Sequence, residues 1–122
     1  MLDLTAFEKL DKVIHERGRL AIMSLLAATE ALSFKELKEH LRMTDGNLSV
    51  HMRTLEESGF VSVSKSFVDR KPRTEYSLTP EGREAFQEYI RTLEEIVRQS
   101  QQAEAPRRDI GTALAAGMVP AK

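Results

Sequence analysis

The chain has 122 residues, 41% of them apolar, which is material for one domain with a single modest core. It contains no cysteine, which excludes disulfide frameworks and thiolate metal sites, and its formal net charge of −1 neither requires nor forbids a polyanionic partner. The opening Met-Leu-Asp-Leu-Thr lacks the basic-then-apolar order of a secretion signal, and no apolar run approaches the roughly 20 residues that cross a bilayer, so a cytoplasmic protein with no membrane partner is expected.

Phe7, Leu10, Val13 and Ile14 recur at helical spacing and predict a first helix running to Gly18. From Arg19, residues Leu20, Ile22, Met23, Leu25 and Leu26 make a second helix that is apolar over more than half its circumference, hence central and buried. Ser33 with Glu36 fits a capping box and opens a short third helix with Leu37 and Leu41 inward. Thr44 caps a fourth, whose Leu48, Met52 and Leu55 share one face. Gly59 can end that helix in the left-handed conformation, after which Phe60, Val61, Val63 and Phe67 have the propensity of a strand. A polar segment, Val68 to Arg73, leads to a second strand, Thr74 to Leu78, so the pair reads as a hairpin with a basic tip. Thr79 and Pro80 open a last helix to about Gln102, with Phe86, Tyr89, Ile90, Leu93, Ile96 and Val97 along one stripe. Residues 103–122 have no amphipathic period and are expected to be a mobile tail on a domain spanning 1–102.

Two short helices joined by a tight turn, with a supporting helix before them and a β-hairpin after, are the ordered parts of a winged helix-turn-helix. The expected fold is therefore mainly α with a small β-hairpin. A helix with its side chains is about as wide as the major groove of DNA, whereas the minor groove is too narrow for it. That assigns the outer face of the fourth helix, about residues 44–58, to the groove, with Thr44, Asn47, Ser49, Val50, His51 and Arg53 as candidate contacts. Arg can bond two acceptors on guanine and Asn two groups on adenine. The wing, about residues 60–79, would lie on the phosphate backbone through Lys65, Arg70, Lys71 and Arg73, against Asp69, the one acid between Lys65 and Arg73. Asp45, Glu56 and Glu57 against Arg53 oppose this reading, although the two glutamates fall late in the helix, away from phosphate.

The segments "RLAIMSLLA", "FKELKEHLRMTDGNLSVHMRTLEESGFVSVSKSF" and "KPRTEYSLTPEGREAF" resemble the winged-helix bacterial and archaeal regulators of the MarR-like and ArsR-like groups, over roughly residues 10 to 97. "TDGNLSVHMRTLEESGFV" matches their recognition helix and its exit into the wing, and "RTEYSLTPEGREAF" the returning strand and following helix. The resemblance implies a homodimeric transcriptional regulator of double-stranded DNA. ArsR-like metal sensors use cysteine-rich ligand sets, and this chain has none, so metal sensing is not implied.

The three histidines, His15, His40 and His51, fall in three predicted helices with no i, i+4 pair, which is poor spacing for a metal. Gly18, Gly46, Gly59 and Gly82 are isolated near helix ends and form no phosphate-cradling loop. No serine has a plausible base and orienting acid, so neither a cofactor nor an enzymatic function is expected, and nothing names a small-molecule effector. The alternative function is a winged-helix module for protein–protein assembly, supported by the near-neutral net charge and the acidic last helix.

The stripe on the last helix outlasts what so small a core can cover, because a helix of about 20 residues is roughly 30 Å long. Its distal half is expected to pair with the first helix and a second copy of both, through Phe7, Leu10, Ile14, Tyr89, Ile90, Leu93, Ile96 and Val97.

Overall fold

A computed structural model describes residues 4–102; the tail expected over 103–122 lies outside the described residues. The elements are α1 Thr5–Glu8, α2 Arg17–Ala27, β1 Leu32–Ser33, α3 Phe34–Leu41, α4 Asp45–Glu57, β2 Val61–Val68, β3 Lys71–Leu78 and α5 Pro80–Gln102.

The first helix is shorter than its apolar spacing suggests. The Asp11 carboxylate accepts the backbone N–H groups of Val13 at 2.8 Å and Ile14 at 3.1 Å, a local turn that competes with helix, while Leu10 and Ile14 still enter the core. Helix α2 then begins at Arg17 rather than Arg19, with the Glu16 carboxylate accepting the Arg19 N–H at 2.7 Å as its cap. Gly18, read from sequence as a stop, lies in the first turn of α2. A Cβ there would stand 2.7 Å from His51 Nε2, so its absence lets α2 lie against α4.

The remaining helices follow their caps. Ser33 Oγ accepts the Glu36 N–H at 3.1 Å while Glu36 Oε1 accepts the Ser33 N–H at 2.9 Å, the full capping box. Thr44 Oγ1 accepts the Asn47 N–H at 3.1 Å, and Thr79 Oγ1 the Gly82 N–H at 2.9 Å. Helix α4 ends in a Schellman turn: Gly59 takes φ +79°, its N–H bonds the Glu56 carbonyl, and the Phe60 N–H bonds that of Leu55.

The sheet has three antiparallel strands in the order β1-β3-β2, one more than the hairpin expected from sequence. Strand β1 is two residues long and its Ser33 also caps α3, so it leaves no alternation to detect. The hairpin is longer than its sequence suggests, with a turn of only Asp69 and Arg70, at φ 52° and 66°, the signs a type I′ turn needs. Pro72 is tolerated in β3 because β1 reaches only to Glu75, leaving one side of β3 an open edge there. Ile22, Met23 and Leu26 of α2 and Leu48, Met52 and Leu55 of α4 form the centre of the core with Leu37, Val61 and Tyr89.

Candidate nucleic-acid interface

The turn between α3 and α4 is tight: Arg42 takes a left-handed φ of 55° and the Met43 N–H bonds the Lys38 carbonyl at 3.3 Å. Across it, Lys38 Nζ lies 2.7 Å from Asp45 Oδ1, which pairs the acid in the first turn of α4 and raises the pKa of the lysine. Burying Leu48, Met52 and Leu55 turns Asn47, Ser49, Val50 and Arg53 outward, and all four are exposed. Among the described residues the side chains of Asn47, Ser49 and Arg53 bond no other group, whereas Thr44 already caps the helix with its hydroxyl.

His51 is differently placed. It is half-buried, with Nδ1 3.7 Å from Glu16 Oε1 and 3.4 Å from Arg19 Nη1, over Gly18. The backbone N–H of Arg19 is the main cause holding the Glu16 carboxyl below its ordinary value, and the charges of His51 and Arg19 act in the same direction. His51 thus holds α4 to the start of α2 instead of standing free with Asn47 and Arg53. Burial first, and the charge of Glu56 second, push the Tyr76 phenol up.

Sequence reasoning missed Arg17 and Arg42, which are exposed and line a groove of about 350 Å³ with Asn47 and His51. The signal at Arg42 is conformational: a position that favours glycine or asparagine carries an arginine, and only the backbone shows this.

In the wing, Lys65, Arg70 and Lys71 are exposed at or near the tip. Arg73 is not free with them. Its Nη2 lies 3.1 Å from Glu36 Oε1 and its Nε 3.2 Å from Glu75 Oε2, which ties β3 to the capping box of α3. The Ser33 backbone N–H, then the Ser33 hydroxyl, hold the Glu36 carboxyl below its ordinary value, and Arg73 adds to this.

The residues expected between two copies divide into two groups. Leu10, Ile14 and Tyr89 are taken up by the core of the chain itself, with the Tyr89 hydroxyl 2.6 Å from His15 Nδ1. Ile90, Leu93 and Ile96 are half-buried, while Phe7 is 46% and Val97 52% exposed where α1 lies along α5. Among the described residues no group of three or more His, Asp or Glu could hold a metal, and no helix is long and apolar enough to cross a membrane.

A tight helix pair with one bare strip on its second helix, and a cationic hairpin beside it, defines a winged helix-turn-helix. A family model described as a winged helix DNA-binding domain matches residues 19–97, and the chain belongs to that family. It is 42% identical over 79 residues to an uncharacterized protein of Methanocaldococcus jannaschii, covering 65% of this chain and 86% of that one. Among solved structures it is similar to a transcriptional regulator homologue from Pyrococcus horikoshii, at 31% identity and TM-score 0.67, over 70% of this chain and 85% of the other. A protein of Enterococcus faecalis described as a MarR-family transcriptional regulator matches at 27% identity and TM-score 0.65, over 85% and 93%. The S. aureus MepR–DNA complex shares the fold at 19% identity and TM-score 0.66, over 91% and 90%. The family is described by DNA binding, and the Pyrococcus and Enterococcus proteins are described as transcriptional regulators, not enzymes.

Proposed function

We propose that the protein is a sequence-specific transcriptional regulator that binds duplex DNA in the cytoplasm as a homodimer. The observation that carries this reading is the outward strip of α4, where Asn47 and Arg53 stand exposed and unbonded on a helix whose opposite side is wholly buried. Such a helix offers the major groove two side chains able to make paired bonds to base edges, with Val50 available to a thymine methyl and Ser49 to either kind of base. Lys65, Arg70 and Lys71 would supply sequence-independent affinity from phosphate, and Arg73 would set the angle at which they are presented.

The dimer would form along α1 and α5, through Phe7 and Val97 and the half-buried Leu93 and Ile96. Val97→Glu is the cleaner probe, because the exposed position tolerates charge in the monomer while a shared interface would not. Sedimentation should show a dimeric wild type and a largely monomeric variant.

Selection of bound duplexes from a random pool tests the whole reading. A palindrome with half-sites about one helical turn apart, or a multiple of that, is expected. A pool with no enriched sequence would contradict it.

A further inference from the structure

His51 stands between opposite charges on the helix offered to DNA. Its Nδ1 is 3.4 Å from Arg19 Nη1 and 3.7 Å from Glu16 Oε1. A guanidinium only donates, so in this contact Nδ1 accepts, and the ring is neutral with its proton on Nε2. The carboxylate lies just outside hydrogen-bond reach, and it can accept from Nδ1 only when that atom carries a proton. The two partners exclude each other at one nitrogen, and a proton decides between them.

Both partners are held independently of the ring. Glu16 Oε1 accepts the Arg19 N–H at 2.7 Å as the cap of α2, and Arg19 Nε donates to the Val13 carbonyl at 2.6 Å. Gly18 leaves no Cβ under the ring, which therefore rests on the first turn of α2 within reach of both. The Glu16 carboxyl, held below its ordinary value chiefly by the Arg19 N–H, stays an anion where a histidine ordinarily changes charge, about pH 5 to 8. The charged groups around the ring are Glu16, Arg17 and Arg19 at the start of α2 and Arg42 after α3; among the described residues no other charged side chain lines this groove. Asn47, one turn before His51 on α4, lines it too. His15 bonds Tyr89 and His40 is exposed on α3, so neither shares this arrangement.

We propose that His51 is a positioning residue operated by a proton: neutral, it accepts from Arg19; protonated from solvent at Nδ1, it releases Arg19 Nη1, closes on Glu16 and favours the DNA-bound form of α4. This rests on the DNA-binding reading above. Two consequences have the same sign. The imidazolium neutralises Glu16, an anion beside the strip that would meet DNA, so the groove gains one positive charge to set against phosphate. The pair it forms with Glu16 also ties α4 more firmly to α2. By linkage, DNA binding then takes up a proton and affinity rises as pH falls, by at most about tenfold per pH unit for one group.

Wild type, His51→Asn and Glu16→Gln should be titrated with a selected duplex at about pH 7.5 and about pH 5.5 in one salt, alongside amide spectra of the free proteins over the same range. Wild type should bind about fivefold tighter at the lower pH, the scale of one half-exposed ion pair. His51→Asn, which keeps an acceptor for Arg19 but takes up no proton, should show no such gain whatever its affinity. Glu16→Gln keeps the oxygen that caps α2 and should lose most of the gain. In the free wild type the amide signals of Gly18, Arg19 and the middle of α4 should move together with pH, and in His51→Asn they should not. A wild-type affinity that ignores pH would overturn this inference alone, as would a gain that survives in His51→Asn, which would assign it to His15 or His40. A gain undiminished in Glu16→Gln would overturn it equally, and that variant decides by itself if His51→Asn fails to fold. Wild type that binds no duplex at either pH would instead bring down the DNA-binding reading, leaving the amide signals to decide the exchange of partners.

Discussion

Helix α4 is held along its whole length and the hairpin only at its base. On α4 every turn contributes a buried side chain, Leu48, Met52 or Leu55, and His51 adds a polar hold through Glu16 and Arg19. On the hairpin, burial fades from Val61 at the base to an exposed Phe67 at the tip, and the main lateral brace is Arg73 between Glu36 and Glu75. Reading base edges needs side chains fixed to within a fraction of an ångström, which a packed helix provides; meeting a phosphate backbone needs reach and charge, which a braced arm provides.

The sharpest way to break this comparison is through stability. Leu55→Ala should cost about 2 to 5 kcal/mol in urea unfolding, because a fully buried leucine leaves a cavity. A similar loss on truncating an exposed wing residue such as Val68 would erase the distinction.

Next in size is recognition. Arg53→Ala should cost about 1 to 3 kcal/mol on the selected site and relax preference at one position of each half-site, with little change on random DNA. Equal losses on both would make Arg53 a phosphate contact and move the reading elsewhere on α4.

Glu36→Gln separates brace from charge. Removing an acid near DNA should tighten binding if only electrostatics mattered; the glutamine Oε1 still accepts the Ser33 N–H, so what is lost is the charge that braces Arg73, and that loss should weaken binding and lower stability slightly. The folded-state pKa of Glu36 lies below its ordinary 4.5, so the stability it contributes is present above pH 4.5 and is lost as pH falls through the lowered value. Melting curves should show that acid-side loss in wild type and less of it in the variant. Tighter DNA binding by Glu36→Gln would refute the brace.

The smallest effect concerns the turn. An L-residue in the left-handed region costs about 1 kcal/mol, so Arg70→Gly should leave stability unchanged or slightly raised, while reducing the salt slope of binding by about 1. An unchanged slope would remove Arg70 from the phosphate contacts.

What the sequence disclosed was local. Ser33 with Glu36, Thr44, and Thr79 with Pro80 each mark a helix start within a few residues, and the stripes on α2, α4 and α5 follow from spacing alone. What stayed hidden depends on partners far along the chain. By sequence Arg73 is one more wing cation, but Glu36, 37 residues away, pairs with it, and His51 reads as outward, but Arg19, 32 residues away, lies beside it. The truncated α1 was hidden for another reason: the Asp11 side chain competes with helix exactly where the apolar spacing is good.

The most direct test of the account is a titration of a labelled selected duplex and a labelled random duplex by wild type across a range of salt. Weak binding to random DNA that falls steeply with salt, with much tighter binding to the selected site, is the predicted result. Failure to bind either duplex at low salt, or equal affinity for both, would contradict it.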